Sequence, residues 1–450
     1  MGLTERFREA VTIKTDWPAG AATGDEEAEG PLIRFQEFLA REYPLFHKAA
    51  ERQVLDPYAV VYRWPGQQSA DQRSGKKPVL FLAHYDVVPA EAGRWTTGPF
   101  DAELRDGYVY GRGTLDMKGS LIALMEAAEL LCGRGFRPRE DIWFAFGGDE
   151  ERSGVLGALR MAAWFEEQGV RFAWLLDEGP VIGEGHIEGL KSPAAFFGIE
   201  EKGFLSLDLT VKQHPGHASR PPDVQAAAVL AKALIRLSKR PFPRRLTPTV
   251  ESFFTHLAPF IPGFRGWILR HSRLLGPLFF RAVKKNPLFA AMFKTTLAMT
   301  QLEGSAADNV LPSEVKAVVN LRLLPPRTRE EAVAFVRETI NDKRVEIAVH
   351  GLGTEAVSAN PEQARFGGSG WADLTAALES TESGCPVFPF LMTATTDSRH
   401  YKDLTEAIFR FSPLRLNPRE LAAIHGHDER VSLENLDRAA RFYGALLSRL

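Results

Sequence analysis

Charged residues with the chemistry of metal ligands follow three short apolar runs of this 450-residue chain. The runs at 79–83, 142–146 and 172–176 are each about five residues long and apolar on both faces, as in buried strands of a parallel sheet. They lead directly into His84-Tyr85-Asp86, Gly147-Gly148-Asp149-Glu150-Glu151 and Asp177-Glu178, while Asp116 precedes a helical pattern. Because ligands of open α/β sheets bind beyond the carboxyl ends of the strands, we expect these clusters to converge.

An imidazole surrounded by several carboxylates is a ligand set for Zn²⁺, Mn²⁺ or Co²⁺. The number of acidic residues exceeds what one zinc ion usually takes. A two-metal site therefore fits better, with a bridging carboxylate and ions roughly 3.5–4 Å apart. A carboxylate that binds no metal would then serve as the general base toward a water molecule.

Each cluster also has a purely structural interpretation. Taken alone, His84 and Asp86 fit a hydrogen-bonded pair, and Asp116 fits a helix N-cap. Asp177 alone fits a turn, and the Glu150-Glu151 pair fits a solvated face. The occurrence of all four clusters after strands, in strand–helix–strand order, favours chemistry.

The pattern around these residues predicts an α/β fold with a mostly parallel sheet sandwiched by helices. Helical spacing over 119–131 lies between the first two apolar runs. From residue 201 the pattern changes to alternating strands at 204–211, 315–324 and 345–350, with a helix at 328–340. We predict a catalytic domain in two parts, 1–200 and 351–450, and an α+β domain inserted at 201–350.

The composition excludes several classes of protein. Lys+Arg 55 against Asp+Glu 57 gives a net charge of −2, which argues against a dedicated nucleic-acid binder. The two cysteines, Cys132 and Cys385, form neither a metal-type pair nor a disulfide framework. Without an apolar run of 18 residues or a signal-peptide pattern, we expect a cytoplasmic protein.

Residues 252–302 contain no acidic residue but many Phe, Leu and Trp residues. Their basic residues are Arg265, Arg270, Arg273, Arg281, Lys284, Lys285 and Lys294. One interpretation is a helical lid whose apolar face packs on its own domain. The other is weak contact with a membrane or lipid, because basic amphipathic helices favour membrane surfaces.

Seven stretches of the sequence together carry a family resemblance. They are FLAHYDVVP (81–89), YGRGTLDMKGS (110–120), GGDEE (147–151), LLDEG (175–179), PGHASRPP (215–222), NVLPSEVKAVVNLRLLPP (309–326) and HGHDERVSLENL (425–436). In these the chain resembles the M20 family of metallopeptidases, the aminoacylase/carboxypeptidase G2 group. The resemblance implies a zinc-peptidase-like catalytic domain with an inserted dimerisation or lid domain, and a homodimer.

The resemblance also implies roles for the charged residues. Asp116 would bridge two divalent ions, with Zn²⁺ ahead of Mn²⁺ and Co²⁺. One ion would be held with His84 and Asp177, and the other with Glu151 and His425. His427 competes with His425 within HGHDE, but the family places its ligand first in that motif.

Four further roles come from the same resemblance. Asp86 would orient His84, and Glu150 would be the base. His217 would stabilise the oxyanion, coming from the partner subunit in dimeric members. Arg322 would hold a substrate carboxylate, supported by Asn309. The Asp116–Met117 peptide bond is often cis in the family.

Within the family the chain resembles the branch of carboxypeptidase S and the N-fatty-acyl-amino-acid synthase/hydrolases. The long apolar-basic segment before NVLP carries this resemblance, together with FQEFLAREYPLFH (35–47) and ATTDSRHY (394–401). We expect a di-metal hydrolase that cleaves an amide bond next to a free carboxylate, as a carboxypeptidase on short peptides. The alternative is an N-acyl-amino-acid amidohydrolase or synthase. A non-enzymatic scaffold is disfavoured because every ligand position and the base are present.

Overall fold

The computed structural model describes residues 2–18, 23–67, 77–283, 287–359 and 370–450. Its helices are α1 (Leu3–Thr12), α2 (Glu26–Glu42), α3 (Pro44–Ala49), α4 (Lys118–Gly133), α5 (Ala158–Glu167), α6 (Ala226–Lys239), α7 (Pro248–Leu257), α8 (Gly263–Arg270), α9 (Gly276–Val283), α10 (Pro287–Met292), α11 (Arg329–Ile340), α12 (Trp371–Thr381), α13 (Pro418–Leu421) and α14 (Leu433–Leu447). Its strands are β1 (Glu51–Asp56), β2 (Ala59–Trp64), β3 (Val79–His84), β4 (Leu104–Arg105), β5 (Tyr108–Tyr110), β6 (Ile142–Gly147), β7 (Trp174–Asp177), β8 (Ile182–Gly183), β9 (Ala194–Glu201), β10 (Gly203–Lys212), β11 (Gly216–His217), β12 (Thr296–Glu303), β13 (Val310–Leu311), β14 (Glu314–Leu323), β15 (Glu346–Thr354), β16 (Val387–Met392), β17 (Ile408–Arg410), β18 (Arg415–Leu416) and β19 (Arg430–Ser432).

A ten-stranded sheet forms the centre of the molecule, in the order β1-β2-β6-β3-β7-β17-β9-β8-β18 with β16 also paired to β9. Strand β3 runs parallel to both β6 and β7, and β17 runs parallel to β7. Every residue of β3, β6 and β7 is buried, as the continuous apolar runs predict. The predicted α/β fold with a mostly parallel sheet is therefore confirmed.

A second, four-stranded antiparallel sheet has the order β12-β14-β10-β15. Helices α6 and α11 cover one face of it through a shared apolar core. Its strands all lie between residues 203 and 354, whereas the strands of the large sheet lie between 51 and 201 and again between 387 and 416. The exact domain limits given above remain a prediction.

Helices α7 to α10 form most of residues 252–302, for which the sequence left two interpretations open. Their buried side chains share one apolar core with Phe196 of β9 and with Phe388 and Phe390 of β16. Phe253 of α7 lies edge-on to the last two, with ring centroids 6.0 and 5.9 Å away. The described part of this segment therefore packs mainly against the large sheet. Among the described helices, none has the length and apolar character needed to cross a lipid bilayer.

Candidate metal centre

The candidate ligands converge beyond the carboxyl ends of the central parallel strands of the large sheet. His84 is the last residue of β3, and Asp116 lies two residues before α4. Glu151 lies in a short 3₁₀ turn, 150–152, just after β6. Because β3 and β6 are parallel neighbours, their carboxyl ends bring these side chains together. His425 lies in the loop between α13 and β19, with a left-handed φ of 60°.

Two groups of ligand atoms share the Asp116 carboxylate. In the first group, His84 Nε2 lies 3.1 Å from Asp116 Oδ1 and 3.5 Å from Glu178 Oε2. In the second group, His425 Nε2 lies 3.0 Å from Asp116 Oδ2 and 3.1 Å from Glu151 Oε1. Within each group the candidate atoms all lie within 4.8 Å of one another. Asp116 thus presents one oxygen to each group, as a bridging ligand would.

Glu178, and not the predicted ligand Asp177, lies beside His84 in this structure. Asp177 Oδ1 accepts a hydrogen bond from the Glu178 N–H at 2.8 Å, and its Oδ2 accepts one from the Ser398 N–H at 2.8 Å. Both oxygens are therefore used to fix the strand end. Successive side chains of a strand point to opposite faces, so only one of these two neighbours can reach His84.

Asp86 fixes two parts of the site at once. Its Oδ1 lies 3.3 Å from His84 Nδ1, so it can orient the ring whose Nε2 faces the first group. The same carboxylate accepts hydrogen bonds from the N–H groups of Glu150 and Glu151, at 3.1 and 3.0 Å. Asp86 therefore ties the 3₁₀ turn that carries these two residues to the strand that carries His84.

The buried carboxylates of the site have strongly perturbed pKa values. Burial, reinforced by the charge of Glu178, raises the pKa of Glu150 well above its usual value. Burial and the charge of Asp116 raise the pKa of Glu178 in the same way. Burial acts to raise the pKa of Asp116 too, but hydrogen bonds from His425 and His84 outweigh it and lower that pKa. Hydrogen bonds to Asp116 and Glu151 raise the pKa of His425 to about 10.

The arrangement of these donors suits cations. The carboxylates repel one another in a buried environment, and the imidazoles are held in contact with them. Divalent ions would neutralise this accumulation of negative charge and use the nitrogen and oxygen donors that Zn²⁺, Mn²⁺ and Co²⁺ accept. The residues present therefore fit two divalent metal ions.

Sequence reasoning missed a buried ion pair that supports both groups. Arg112 Nη1 lies 2.6 Å from Glu429 Oε2, and both side chains are almost completely buried. The other oxygen of Glu429 accepts hydrogen bonds from the N–H groups of Leu115 and Asp116, at 2.8 and 3.3 Å. Arg112 Nη2 donates to the His425 carbonyl at 3.2 Å. The signals in the sequence were Arg112 in YGRGTLDMKGS and the final Glu of HGHDE, and neither motif reveals that the two residues are partners.

A cavity of about 490 Å³ lies against both groups. Glu150 lines it, as does Arg322 of β14, whose guanidinium lies 4.8 Å from the ring of Phe204. Burial lowers the pKa of Arg322. Much of the remaining wall is apolar: Leu115, Val181, Leu352, Met392, Leu414, Leu416 and Ile424.

Five of the ten predicted site residues do not line this cavity: His84, Asp86, Asp177, His217 and Asn309. The last two are also exposed. His217 is exposed on the two-residue strand β11, where its Nδ1 accepts a hydrogen bond from the Ser219 N–H at 3.1 Å. Asn309 is also exposed, and its carbonyl accepts a hydrogen bond from the Ala218 N–H at 3.0 Å. Neither side chain belongs to the cavity wall of this chain. The Asp116–Met117 peptide bond is cis, as the resemblance implied.

Comparison with known proteins gives consistent results. A family model described as peptidase family M20/M25/M40 matches residues 80–449. N-fatty-acyl-amino acid synthase/hydrolase PM20D1 of Xenopus tropicalis is 34% identical over 448 residues, covering 99% of this chain and 85% of that protein. Probable carboxypeptidase S-like 2 of Dictyostelium discoideum is 33% identical over 450 residues, covering 99% of this chain and 84% of that protein.

Solved structures share the fold at low sequence identity. The M20 family metallo-carboxypeptidase Sso-CP2 of Sulfolobus solfataricus has a TM-score of 0.70 at 16% identity, covering 100% of this chain and 99% of the other. Human carnosine dipeptidase 1 has a TM-score of 0.68 at 17% identity, covering 100% and 96%.

Proposed function

The chain belongs to the peptidase family M20/M25/M40, and on this premise we propose that it hydrolyses an amide bond next to a free carboxylate, as a carboxypeptidase on short peptides. The observation that supports this most is the shared Asp116 carboxylate between two ligand groups, beside a cavity that Glu150 and Arg322 also line. The cavity wall includes donors of both ligand groups, a carboxylate outside both groups and a guanidinium.

We propose Zn²⁺ as the native metal. His84, Asp116 and Glu178 would hold one ion, and Asp116, Glu151 and His425 the other. When bound, such ions polarise a scissile carbonyl and lower the pKa of water.

The protein's own residues would carry the proton and orient the substrate. Glu150 belongs to neither ligand group, so its carboxylate is free to accept a proton from the attacking water and later to give it to the leaving amine. Arg322 would hold the free carboxylate of the substrate, because a guanidinium binds a carboxylate through two parallel hydrogen bonds. Asp86 would fix the position of the turn that carries Glu150 relative to His84.

A homodimer is part of this proposal. His217 is exposed and absent from the cavity wall of its own chain, so an oxyanion donor from this position would come from the partner subunit's His217. The edge strands β12 and β15 of the small sheet are mostly exposed, which leaves backbone groups available for an interface. The cytoplasmic location remains a prediction.

The apolar cavity wall supports a second candidate, hydrolysis or synthesis of N-acyl amino acids. A hydrocarbon chain gains from apolar walls such as Leu414, Leu416 and Ile424, whereas a glycyl residue gains little. Similarity to both kinds of relative is compatible with either substrate. The direction of the reaction would depend on substrate supply.

The test compares kcat/KM for carbobenzoxy-Gly-Leu and for N-oleoyl-phenylalanine, using protein loaded with Zn²⁺ or Mn²⁺. Faster dipeptide cleavage supports the carboxypeptidase, and faster cleavage of the fatty-acyl substrate supports the second candidate. The control is Glu150→Gln, which keeps the size of the side chain. If wild type cleaves neither substrate faster than this variant, the proposed function is wrong.

A further inference from the structure

Helices α8 and α9, with the turn between them, expose large apolar side chains that are unusual on a protein surface. Phe264 is 66% exposed, Trp267 49%, Leu274 82% and Leu278 42%. Exposed arginines alternate with them: Arg265, Arg270, Arg273 and Arg281. We call these eight residues the α8–α9 surface.

The opposite side of α8 accounts for the attachment of this helix to the molecule. Ile268 and Leu269 are buried in the core that α7 to α10 share with β9 and β16. Phe264 and Trp267 point the other way and stack on each other, with ring centroids 5.5 Å apart and an interplanar angle of 14°. The apolar core under α8 therefore includes neither Phe264 nor Trp267.

The charge of the α8–α9 surface is of one sign. Arg265 lies 3.3 Å from Glu188 in an exposed pair. For Arg270, Arg273 and Arg281, the described residues provide no ion pair. Lys284 and Lys285 lie outside the described residues. A second copy of this chain placed symmetrically on this surface would set arginines against arginines, which disfavours self-association.

We propose that the α8–α9 surface docks the protein on an anionic lipid bilayer. The arginines complement the negative headgroups, and the aromatic and leucine side chains can enter the boundary between headgroups and acyl chains. Tryptophan favours this boundary because one part of its indole is apolar and its N–H is polar.

The apolar core beneath the α8–α9 surface also contributes to one wall of the cavity. Met392, at the end of β16, belongs to the core that holds α8 and also lines the cavity. A bilayer on the α8–α9 surface would therefore lie behind one wall of the candidate site. The proposal does not depend on the substrate, because binding to lipid can be measured without turnover.

The test is co-sedimentation of the full chain with vesicles of phosphatidylcholine, alone or mixed with an equal amount of phosphatidylglycerol. We expect binding to the anionic vesicles that weakens with salt. Each basic residue near such a surface changes partitioning by about fivefold, so the double variant R270Q/R273Q should bind about 25-fold more weakly. The double variant F264S/L274S should also bind more weakly.

Matched controls carry the same changes at exposed positions elsewhere on the molecule. R134Q/R137Q removes two exposed arginines just after the end of α4, and L130S/I235S replaces two side chains that are each 51% exposed. Both should bind vesicles like wild type, and all four variants should keep the wild-type thermal midpoint. Equal binding by R270Q/R273Q and wild type, or no preference of wild type for anionic vesicles, would overturn the proposal.

A second measurement locates the contact. Lipids brominated in the acyl chain quench tryptophans that enter the bilayer, and the chain has 8 tryptophans. We expect W267F to lose most of the quenching while it still co-sediments. Quenching that persists in W267F would place the contact elsewhere. A change of molar mass in F264S/L274S would identify this surface as a protein interface and contradict lipid docking.

Discussion

The candidate metal centre and His217, which lies in the segment that forms the small sheet, differ in how the chain positions their side chains. His84, Asp116, Glu151 and Glu178 follow strands of one sheet or precede its first crossover helix. They fall into two ligand groups that share Asp116. His217, in contrast, is exposed on a two-residue strand and contacts none of them in the described structure. Parallel strands thus assemble the metal centre within one chain, whereas the position of His217 requires another element, which we propose is a partner subunit.

The largest effect should come from Glu150, since it alone is proposed to transfer the proton. We expect E150Q to lower kcat by about 10²- to 10⁴-fold, with KM and metal content little changed. The measurement is steady-state kinetics with metal analysis of the same sample. An exposed glutamate of α5, changed in E166Q, is the control. Activity of E150Q within a fewfold of wild type would remove Glu150 from the proposed mechanism.

The buried Arg112–Glu429 pair should matter for stability as much as for activity. E429Q leaves the Arg112 charge buried without its partner, which typically costs about 3–5 kcal/mol. We expect a lower urea midpoint and weaker metal binding, because Glu429 also fixes the Asp116 backbone. The exposed Lys212–Glu346 pair is the comparison, and E346Q should leave the midpoint unchanged. Equal midpoints for the two variants would contradict the supporting role.

Replacing His217 tests whether this residue of the small-sheet segment completes the candidate metal centre. We expect H217A to lower kcat by about 10²- to 10³-fold, as loss of one oxyanion donor does. Mixing H217A with E150Q should then restore activity, because a mixed dimer has one site with Glu150 and the partner subunit's His217.

The mixing experiment distinguishes a His217 that acts in the site of the partner subunit from one that acts in the site of its own chain. If His217 acted within its own chain, every site of the mixed dimer would carry one defect and no activity would return. Refolding or subunit exchange of each variant with itself is the control.

A smaller effect is expected at Arg322, which belongs to the small sheet but lines the cavity of the metal centre. R322K keeps the charge and loses the two-pronged geometry, and we expect a rise in KM of about 10- to 100-fold with kcat less affected. The test compares a dipeptide with its C-terminal amide. The ratio of kcat/KM for the dipeptide to kcat/KM for its amide should fall in R322K. An unchanged ratio would mean that the substrate carboxylate binds elsewhere.

The sequence predicted the site residues well where strands of the large sheet determine their positions. The apolar runs identified β3, β6 and β7, and the clusters at their ends are indeed neighbours. Asp177 and Glu178 could not be separated in this way, because their order along the chain does not reveal which side chain faces His84. The Arg112–Glu429 pair joins residues 317 positions apart, and no local pattern encodes such a contact. The packing of α7 on β16 was missed for the same reason.

We propose that two metal ions share the Asp116 carboxylate. The most direct test is anomalous diffraction at the zinc edge from crystals of the zinc-loaded protein. We predict two peaks roughly 3.5–4 Å apart, one beside His84 and Glu178 and the other beside His425 and Glu151. A single peak, or a peak coordinated by Asp177 and not by Glu178, would contradict this account.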